Sequence, residues 1–145
     1  AYVGHSMGGA VGVIRASQDP RIRLLVSLAG MVHTQDFARR KFGENTPGQD
    51  CMWDKPDCPL SQAYMDDMAS IDTVVELGSS ITAPWLLVHG TEDTVVPLQD
   101  SLDILERAGN TAELVELAGA DHVFTDAATP RMVEKVVQWL SRNCD

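Results

Sequence analysis

The sequence contains few of the residues that define specialised protein classes. Only three of its 145 residues are cysteines, Cys51, Cys58 and Cys144, which is too few for a disulfide scaffold. Cys51 and Cys58 could still close a small loop, and the sequence leaves that pairing open. No group of cysteines and histidines is clustered tightly enough for a metal site, so we expect neither a metal ion nor a cofactor.

Basic residues and long apolar runs are also scarce. The chain has 11 Lys and Arg residues against 21 Asp and Glu residues, a formal net charge of −10. Nucleic acids and anionic membrane surfaces would repel such a chain, so we expect neither as a partner. The longest apolar stretch, around residues 24–32, is interrupted by Ser27 and Gly30 and is too short to span a bilayer. The sequence does not begin with methionine, so a signal peptide cannot be assessed and the compartment stays unassigned.

The most informative stretch is GHSMGG at residues 4–9, directly after the apolar run AYV. The pattern Gly-x-Ser-x-Gly, followed by an apolar helical pattern, predicts a strand, a tight turn and a helix with Ser6 at the apex. Glycines are needed because strand and helix approach each other too closely for a Cβ. The N–H of Met7 would lie at the start of the helix, where unpaired donors favour negative charge. The stretch therefore predicts an exposed serine nucleophile beside half of an oxyanion site.

Further strands and helices alternate along the chain. A helix from Met7 to about Ser17 and a strand over 22–29 follow the turn, which predicts a parallel strand–helix–strand unit. Apolar runs predict two later strands, 84–89 and 113–117. A helix beginning at Pro97 and ending at Gly109 separates them, and a final helix capped by Thr129 closes the chain. The apolar residues predicted for these two helices are Leu98, Leu102, Leu105 and Ala108, then Met132, Val133, Val136, Val137 and Leu140.

Residues 31–80 form a connection far longer than a usual strand-to-strand link. Thr34 and Ser61 can each cap a short helix in it, with repeated Gly and Pro breaks between them. We expect a cap or lid insert that leaves the sheet edge and returns. His33 and Trp53 are candidates for a substrate pocket in or beside this insert, although Trp53 could equally serve only to pack the insert.

Three chemically distinct side chains each follow a predicted strand: Ser6, Asp93 and His122. The carboxyl ends of parallel strands share one edge, so these side chains can converge there. A serine hydroxyl needs a base to accept its proton, and a carboxylate can orient that base. Asp121 and Asp126 flank His122, but adjacency in sequence does not provide the required geometry. Two other histidines have weaker claims on catalysis: His5, which we expect to shape the turn or pocket, and His89, a structural hydrogen-bonding residue.

Together, GHSMGG (4–9), HGTEDTVVP (89–97) and GADH (119–122) resemble the C-terminal half of α/β-hydrolase fold enzymes. The resemblance implies an α/β fold, with 1–145 as a partial α/β-hydrolase domain: a parallel sheet flanked by helices, with the 31–80 insert between two strands. It also implies Ser6 as nucleophile, Asp93 as acid, His122 as base and the Met7 N–H as oxyanion donor. The ending AGADHVF (118–124) resembles carboxylesterases of the cinnamoyl and feruloyl type, and also acyl-peptidase relatives.

Three functional hypotheses follow from this resemblance. The first is a serine hydrolase that cleaves small carboxylic esters through an acyl-serine intermediate. The second is an acyl-peptide or proline-type serine peptidase with the same triad. The third is an inactive hydrolase-like fragment, because enzymes of this kind have strands before the serine turn and take a second oxyanion donor from that region. We therefore expect a missing N-terminal half of the same domain to complete the site.

Overall fold

A computed structural model describes residues 1–144, and the sheet in it has four parallel strands in the order β1-β2-β3-β4. The strands are β1 Tyr2–His5, β2 Leu25–Leu28, β3 Trp85–Gly90 and β4 Ala112–Leu117. Val26 of β2 pairs with Val3 on one side and with Leu86 on the other. The predicted parallel strand–helix–strand unit is confirmed. All six residues of β3 are buried, as expected of an inner strand covered on both faces.

Five α-helices accompany these strands in the described part of the chain. They are α1 Met7–Gln18, α2 Thr34–Phe42, α3 Gln62–Ile71, α4 Leu98–Ala108 and α5 Ala128–Asn143. Shorter 3-10 segments occur at Met52–Asp54, Val75–Ser80 and Gly109–Thr111. None of the helices within residues 1–144 is long and apolar enough to cross a membrane.

The alternation of side chains along the strands separates two packing layers. Val26, Leu86 and Val88 point to one face and share a buried cluster with Trp139 of α5. The intervening residues point to the other face, where the side chain of Leu25 lies against Gly12 of α1. This arrangement is a parallel sheet flanked by helices, and it confirms the predicted fold class.

The chain forms two compact units. One contains residues 1–32 together with the chain from Val74 onward, and the other is His33–Thr73. Within the smaller unit α2 packs against α3, and Phe42, Leu60 and Met68 are buried. The predicted helix cap at Ser61 is present, since its Oγ accepts a hydrogen bond from the backbone N–H of Tyr64.

The buried face of α4 differs from the one predicted. The residues of α4 that are buried are Asp100, Ser101, Ile104 and Ala108. Leu102, expected in the core, is 38% exposed. The reason is that two polar side chains of α4 have buried partners: Asp100 Oδ2 accepts from the backbone N–H of Val32 at 2.8 Å, and the Ser101 hydroxyl contacts a buried histidine.

Two predicted threonine caps are wrong, because each hydroxyl bonds elsewhere. The Thr34 hydroxyl donates to the backbone oxygen of Met68, and His33 occupies the cap position of α2. The Thr129 hydroxyl donates to the backbone oxygen of Phe124, and Thr129 lies inside α5, which begins at Ala128. The apolar face predicted for α5 is also too wide, since two of its members are about half exposed. These exposed members are Val133 and Val137.

Candidate active site

The turn that carries Ser6 joins β1 to α1 and has a strained backbone. Ser6 has φ 54° and ψ −119°, a combination that costs a residue with a Cβ about 1–3 kcal/mol. Backbone hydrogen bonds hold it there: the Ser6 N–H donates to the oxygen of Leu28 at 3.0 Å. The Ser6 carbonyl accepts from the N–H groups of Gly9 at 2.8 Å and Met31 at 3.0 Å. Strain maintained by this many contacts is typical of a functional turn.

Glycines allow the close approaches around this turn. A Cβ at Gly4 would lie 2.1 Å from the backbone oxygen of Gly8, and one at Gly9 would lie 2.6 Å from the Cα of Gly30. The Tyr2 hydroxyl donates to the Gly8 oxygen at 3.0 Å and so ties β1 to the first turn of α1. The glycine requirement inferred from the sequence therefore has a direct steric cause.

Met7 is the first residue of α1. At this position the backbone N–H has no acceptor within the helix. The helix dipole adds partial positive charge at the same end, so a developing oxyanion beside Ser6 would be stabilised there.

Asp93 and His122 lie on loops at the carboxyl ends of β3 and β4, and they form a hydrogen-bonded pair. The Asp93 Oδ2 atom is 2.8 Å from His122 Nδ1. The Asp93 side chain is fully buried and that of His122 is 12% exposed. Because a carboxylate only accepts hydrogen bonds, His122 Nδ1 must carry the proton, which leaves Nε2 of the neutral ring free to accept one.

The other oxygen of Asp93 is held by the backbone. Oδ1 accepts from the N–H groups of Val95 at 2.8 Å and Val96 at 2.9 Å. Burial alone would raise the pKa of Asp93, but the hydrogen bonds from His122, His89 and these two amides outweigh it. The pKa of Asp93 is therefore well below its usual value, and the carboxylate is ionised at neutral pH.

His89 supports the Asp93 loop from within the sheet. Its side chain is fully buried, and Nε2 lies 3.0 Å from the Val96 oxygen and 3.3 Å from Asp93 Oδ2. Both neighbours accept hydrogen bonds, so Nε2 carries a proton, while Nδ1 is 2.7 Å from the Ser101 hydroxyl. The sequence indicated a structural histidine here, but nothing in it pointed to Ser101, a polar residue on a face predicted to be apolar.

Backbone contacts join the loop of Asp93 to the loop of His122. The N–H of Glu92 donates to the Ala120 oxygen at 3.0 Å, and the N–H of Gly119 donates to the Thr91 hydroxyl oxygen at 2.9 Å. A Cβ at Gly90 would lie 2.2 Å from the same Ala120 oxygen. The two loops therefore approach each other so closely that residue 90 has no room for a side chain.

The serine turn also touches the loop of His122. The Nε2 atom of His5, the residue before Ser6, is 2.8 Å from the backbone oxygen of His122, and the two imidazole rings are 4.8 Å apart. The alternative acid Asp121 bonds instead to the N–H and hydroxyl of Thr125, each at 2.9 Å. Of the candidate acids, Asp93 is thus the one whose carboxylate contacts the His122 ring.

His33 and Trp53 belong to the smaller unit. His33 Nδ1 lies 3.2 Å from the Thr73 hydroxyl. Trp53 is 46% exposed and packs edge-on against Phe42, with ring centroids 4.9 Å apart. A role of either residue in a substrate pocket stays a prediction.

The two cysteines of the same unit carry free thiols. A backbone bridge pairs Cys51 with Pro59, so Cys51 does not lie opposite Cys58. Among the described residues, no group of three or more His, Cys, Asp or Glu side chains is arranged to hold a metal ion. A surface cavity of about 470 Å³ lies at the amino ends of β3 and β4, beside Trp85 and Trp139, away from the strand ends that carry Asp93 and His122.

This sheet, with its serine turn and carboxylate–imidazole pair at one edge, has the α/β-hydrolase fold. The chain belongs to the prolyl oligopeptidase family, whose model matches residues 1–145. The structure is similar to Est1E from Butyrivibrio proteoclasticus with bound ferulic acid, at 26% identity and a TM-score of 0.80, covering 97% of this chain and 58% of that one.

Two further solved structures share the fold. An esterase domain from a Rhodothermus marinus protein is 18% identical with a TM-score of 0.75, and the match covers 97% of this chain and 60% of that one. A Paleococcus ferrophilus monoacylglycerol lipase is 22% identical with a TM-score of 0.74, covering 97% and 67%. The chain thus spans about 60% of the length of these structures.

Curated proteins also match part of the chain. The non-reducing polyketide synthase Preu3 of Preussia isomera is 34% identical over an alignment of 88 residues, and the match covers 54% of this chain and 3% of that protein.

Proposed function

We propose that the protein is a serine hydrolase that cleaves carboxylic esters through an acyl-serine intermediate, with Ser6, Asp93 and His122 as its triad. The observation that carries the proposal is the 2.8 Å contact between Asp93 Oδ2 and His122 Nδ1, made beside the strained turn of Ser6. The similarity to esterase and lipase structures supports the same chemistry.

In the acylation step, His122 Nε2 takes the hydroxyl proton as Ser6 Oγ attacks the ester carbonyl carbon. The new C–O bond converts the carbonyl oxygen into an oxyanion, to which the Met7 N–H donates a hydrogen bond. The ionised Asp93 stabilises the imidazolium that forms. The tetrahedral intermediate then collapses, the ester C–O bond breaks, and the alcohol leaves with the proton returned by Nε2.

Deacylation repeats these steps with water as the nucleophile. His122 Nε2 takes a proton from water, and the hydroxide oxygen adds to the acyl carbon. Collapse then releases the carboxylic acid, while Ser6 Oγ regains its proton from the imidazolium. The same two protein groups therefore serve both half-reactions, and no further reactant is required.

A fluorophosphonate probe tests the nucleophile directly, because it phosphonylates only an activated serine. In the intact protein, labelling should occur at Ser6, and Ser6→Ala should abolish both labelling and ester turnover. Ser17→Ala is a matched control, since Ser17 lies in the last turns of α1, where its hydroxyl donates to the backbone oxygen of Ile14. Labelling that persists in Ser6→Ala would exclude Ser6 as nucleophile.

A peptidase is the second candidate, and the observation that favours it is the match to the prolyl oligopeptidase family model. The triad would be unchanged, but an amine leaves less readily than an alcohol and needs better protonation by His122. Turnover of p-nitrophenyl esters and methyl ferulate should be compared with that of blocked prolyl anilides. Methyl ferulate belongs in the comparison because ferulic acid is bound in the Est1E structure. A higher kcat/KM for the anilides would favour the peptidase.

A further inference from the structure

His5 contacts His122 in two ways although it lies on a different loop. Its Nε2 atom is 2.8 Å from the backbone oxygen of His122, and its ring lies 4.8 Å from the His122 ring at an interplanar angle of 41°. A carbonyl oxygen only accepts, so the His5 Nε2–H is the donor. Phe124, which is 2% exposed, packs edge-on against the His5 ring with centroids 6.3 Å apart.

We propose that His5 is a positioning residue that sets the distance between the nucleophile and the base, rather than a residue that binds substrate. This inference rests on the proposed function, since it concerns the geometry of Ser6 relative to His122. Its physical basis is that the hydrogen bond joins the residue directly before Ser6 to His122 itself. The serine turn and the loop of His122 otherwise belong to β1 and β4, which are not neighbours in the sheet.

The Asp93 contact alone does not fix the reactive nitrogen of His122. Asp93 holds Nδ1 at one corner of the ring, and the ring can tilt about that point while the hydrogen bond is kept. Such a tilt moves Nε2, the atom that must reach the Ser6 hydroxyl. The His5 ring packed against one side of the imidazole opposes the tilt, and its bond to the main chain opposes a shift of the loop.

The same geometry argues against two other roles for His5. The proton on Nε2 is engaged by the His122 carbonyl, so this nitrogen is not the one that accepts a proton from substrate. A residue that only contacted substrate would also have no reason to bond to the main chain of the base. The carbonyl contact and the ring contact together assign His5 to the support of His122.

Two variants at this position separate the hydrogen bond from the ring contact. His5→Gln keeps an N–H donor on a side chain of similar reach, whereas His5→Phe keeps an aromatic ring and removes the donor. Loss of one hydrogen bond corresponds to about a two- to tenfold loss in rate, and displacement of Nε2 adds to it. We expect His5→Phe to lower kcat for p-nitrophenyl acetate by about tenfold or more with KM changed less than twofold. His5→Gln keeps the donor but loses the ring contact, so it should lower kcat by a smaller factor, about three- to fivefold.

The measurement should use the intact protein, with thermal unfolding confirming that each variant is folded. A raised KM with unchanged kcat would overturn the proposal in favour of substrate binding, and equal kcat for the Gln and Phe variants would overturn the role of the donor. Fluorophosphonate labelling of the unaltered protein separates this outcome from failure of the proposed function. Labelling at Ser6 with unaffected His5 variants refutes only the positioning role, whereas no labelling at Ser6 refutes the proposed function.

Discussion

The exchange Asp93→Asn replaces one carboxylate oxygen by an NH₂ group. It should move the ring proton of His122 from Nδ1 to Nε2. In the structure, Asp93 Oδ1 accepts from the N–H groups of Val95 and Val96, while Oδ2 accepts from His122 Nδ1–H. An asparagine keeps its one oxygen on the two backbone donors, so its NH₂ group faces His122. A donor at that position requires Nδ1 to be unprotonated and moves the ring proton to Nε2. The nitrogen that should accept the Ser6 proton is then blocked.

The size of the effect follows from the cost of the alternative orientation. Turning the amide so that its oxygen faces His122 keeps the 3.3 Å contact with His89 but places NH₂ against the Val95 and Val96 donors. Two hydrogen bonds are lost and donor–donor repulsion is added, a net cost of about 2 kcal/mol. Fewer than about one molecule in 30 would then hold the productive arrangement. The imidazolium also loses its negative partner, and the corresponding Asp→Asn exchange in the triad of a serine protease lowers kcat by about 10⁴-fold. We expect a loss of about 10³- to 10⁴-fold in kcat.

The assay is single-turnover acylation by p-nitrophenyl acetate in the intact protein. KM should change little, because the carboxylate is buried and lies behind the imidazole relative to the reactive nitrogen. Asp126→Asn is the control: it removes another carboxylate close to His122 in sequence, on an exposed residue, and should leave kcat within about threefold. A loss smaller than tenfold in Asp93→Asn, or an equal loss in the control, would refute the reasoning.

Two further predictions concern stability. Gly4→Ala should lower the free energy of unfolding by about 3 kcal/mol in urea titrations, because its Cβ would meet the Gly8 oxygen at 2.1 Å, whereas Gly8→Ala, whose Cβ meets nothing within 4 Å, should not lower it. Since the folded pKa of Asp93 is depressed, the unfolded chain binds more protons, and stability should fall as the pH drops below about 4. Asp93→Asn should flatten this fall, and 1 M NaCl should not abolish the difference. Asp19→Asn loses an ion pair with the exposed Arg21, so its corresponding effect should shrink in salt. Equal unfolding midpoints for the two glycine variants, or an unchanged pH slope in Asp93→Asn, would contradict these expectations.

The parallel sheet could be predicted from the sequence alone, because its strands have clear local patterns of apolar residues. Apolar runs bounded by Gly and Pro marked β3 and the serine turn, and the alternation of strands and helices required a parallel sheet. The placement of Asp93 and His122 followed from one topological rule, that parallel strands end at the same edge. That rule brings residues to an edge without specifying which of them touch.

Several of the failed predictions concern polar residues whose hydrogen-bond partners lie outside the pattern of their own helix. The burial of Ser101 and Asp100 on α4 depends on His89 and Val32, which lie elsewhere in the sequence, and no helical periodicity encodes such contacts. Thr129 looked like a helix cap because its neighbours fit the local pattern, but its hydroxyl found an acceptor five residues earlier. A helical pattern does not predict either kind of contact: the tertiary partners of Asp100 and Ser101, or the loop acceptor that competes for the Thr129 hydroxyl.

The loops that follow β3 and β4 are linked through their main chains, and this determines which of their side chains can be substituted. Glu92 and Ala120 are joined through peptide groups, which every residue except proline supplies alike. Side chains on the outer surface of these loops can therefore be replaced while Asp93 and His122 keep their relative positions. Two positions lack this freedom: Gly90, where a single added carbon would strike the neighbouring loop, and Thr91, whose hydroxyl oxygen accepts a hydrogen bond from the Gly119 N–H. Under the proposed function, changes of substrate preference would therefore leave the contact between Asp93 and His122 in place.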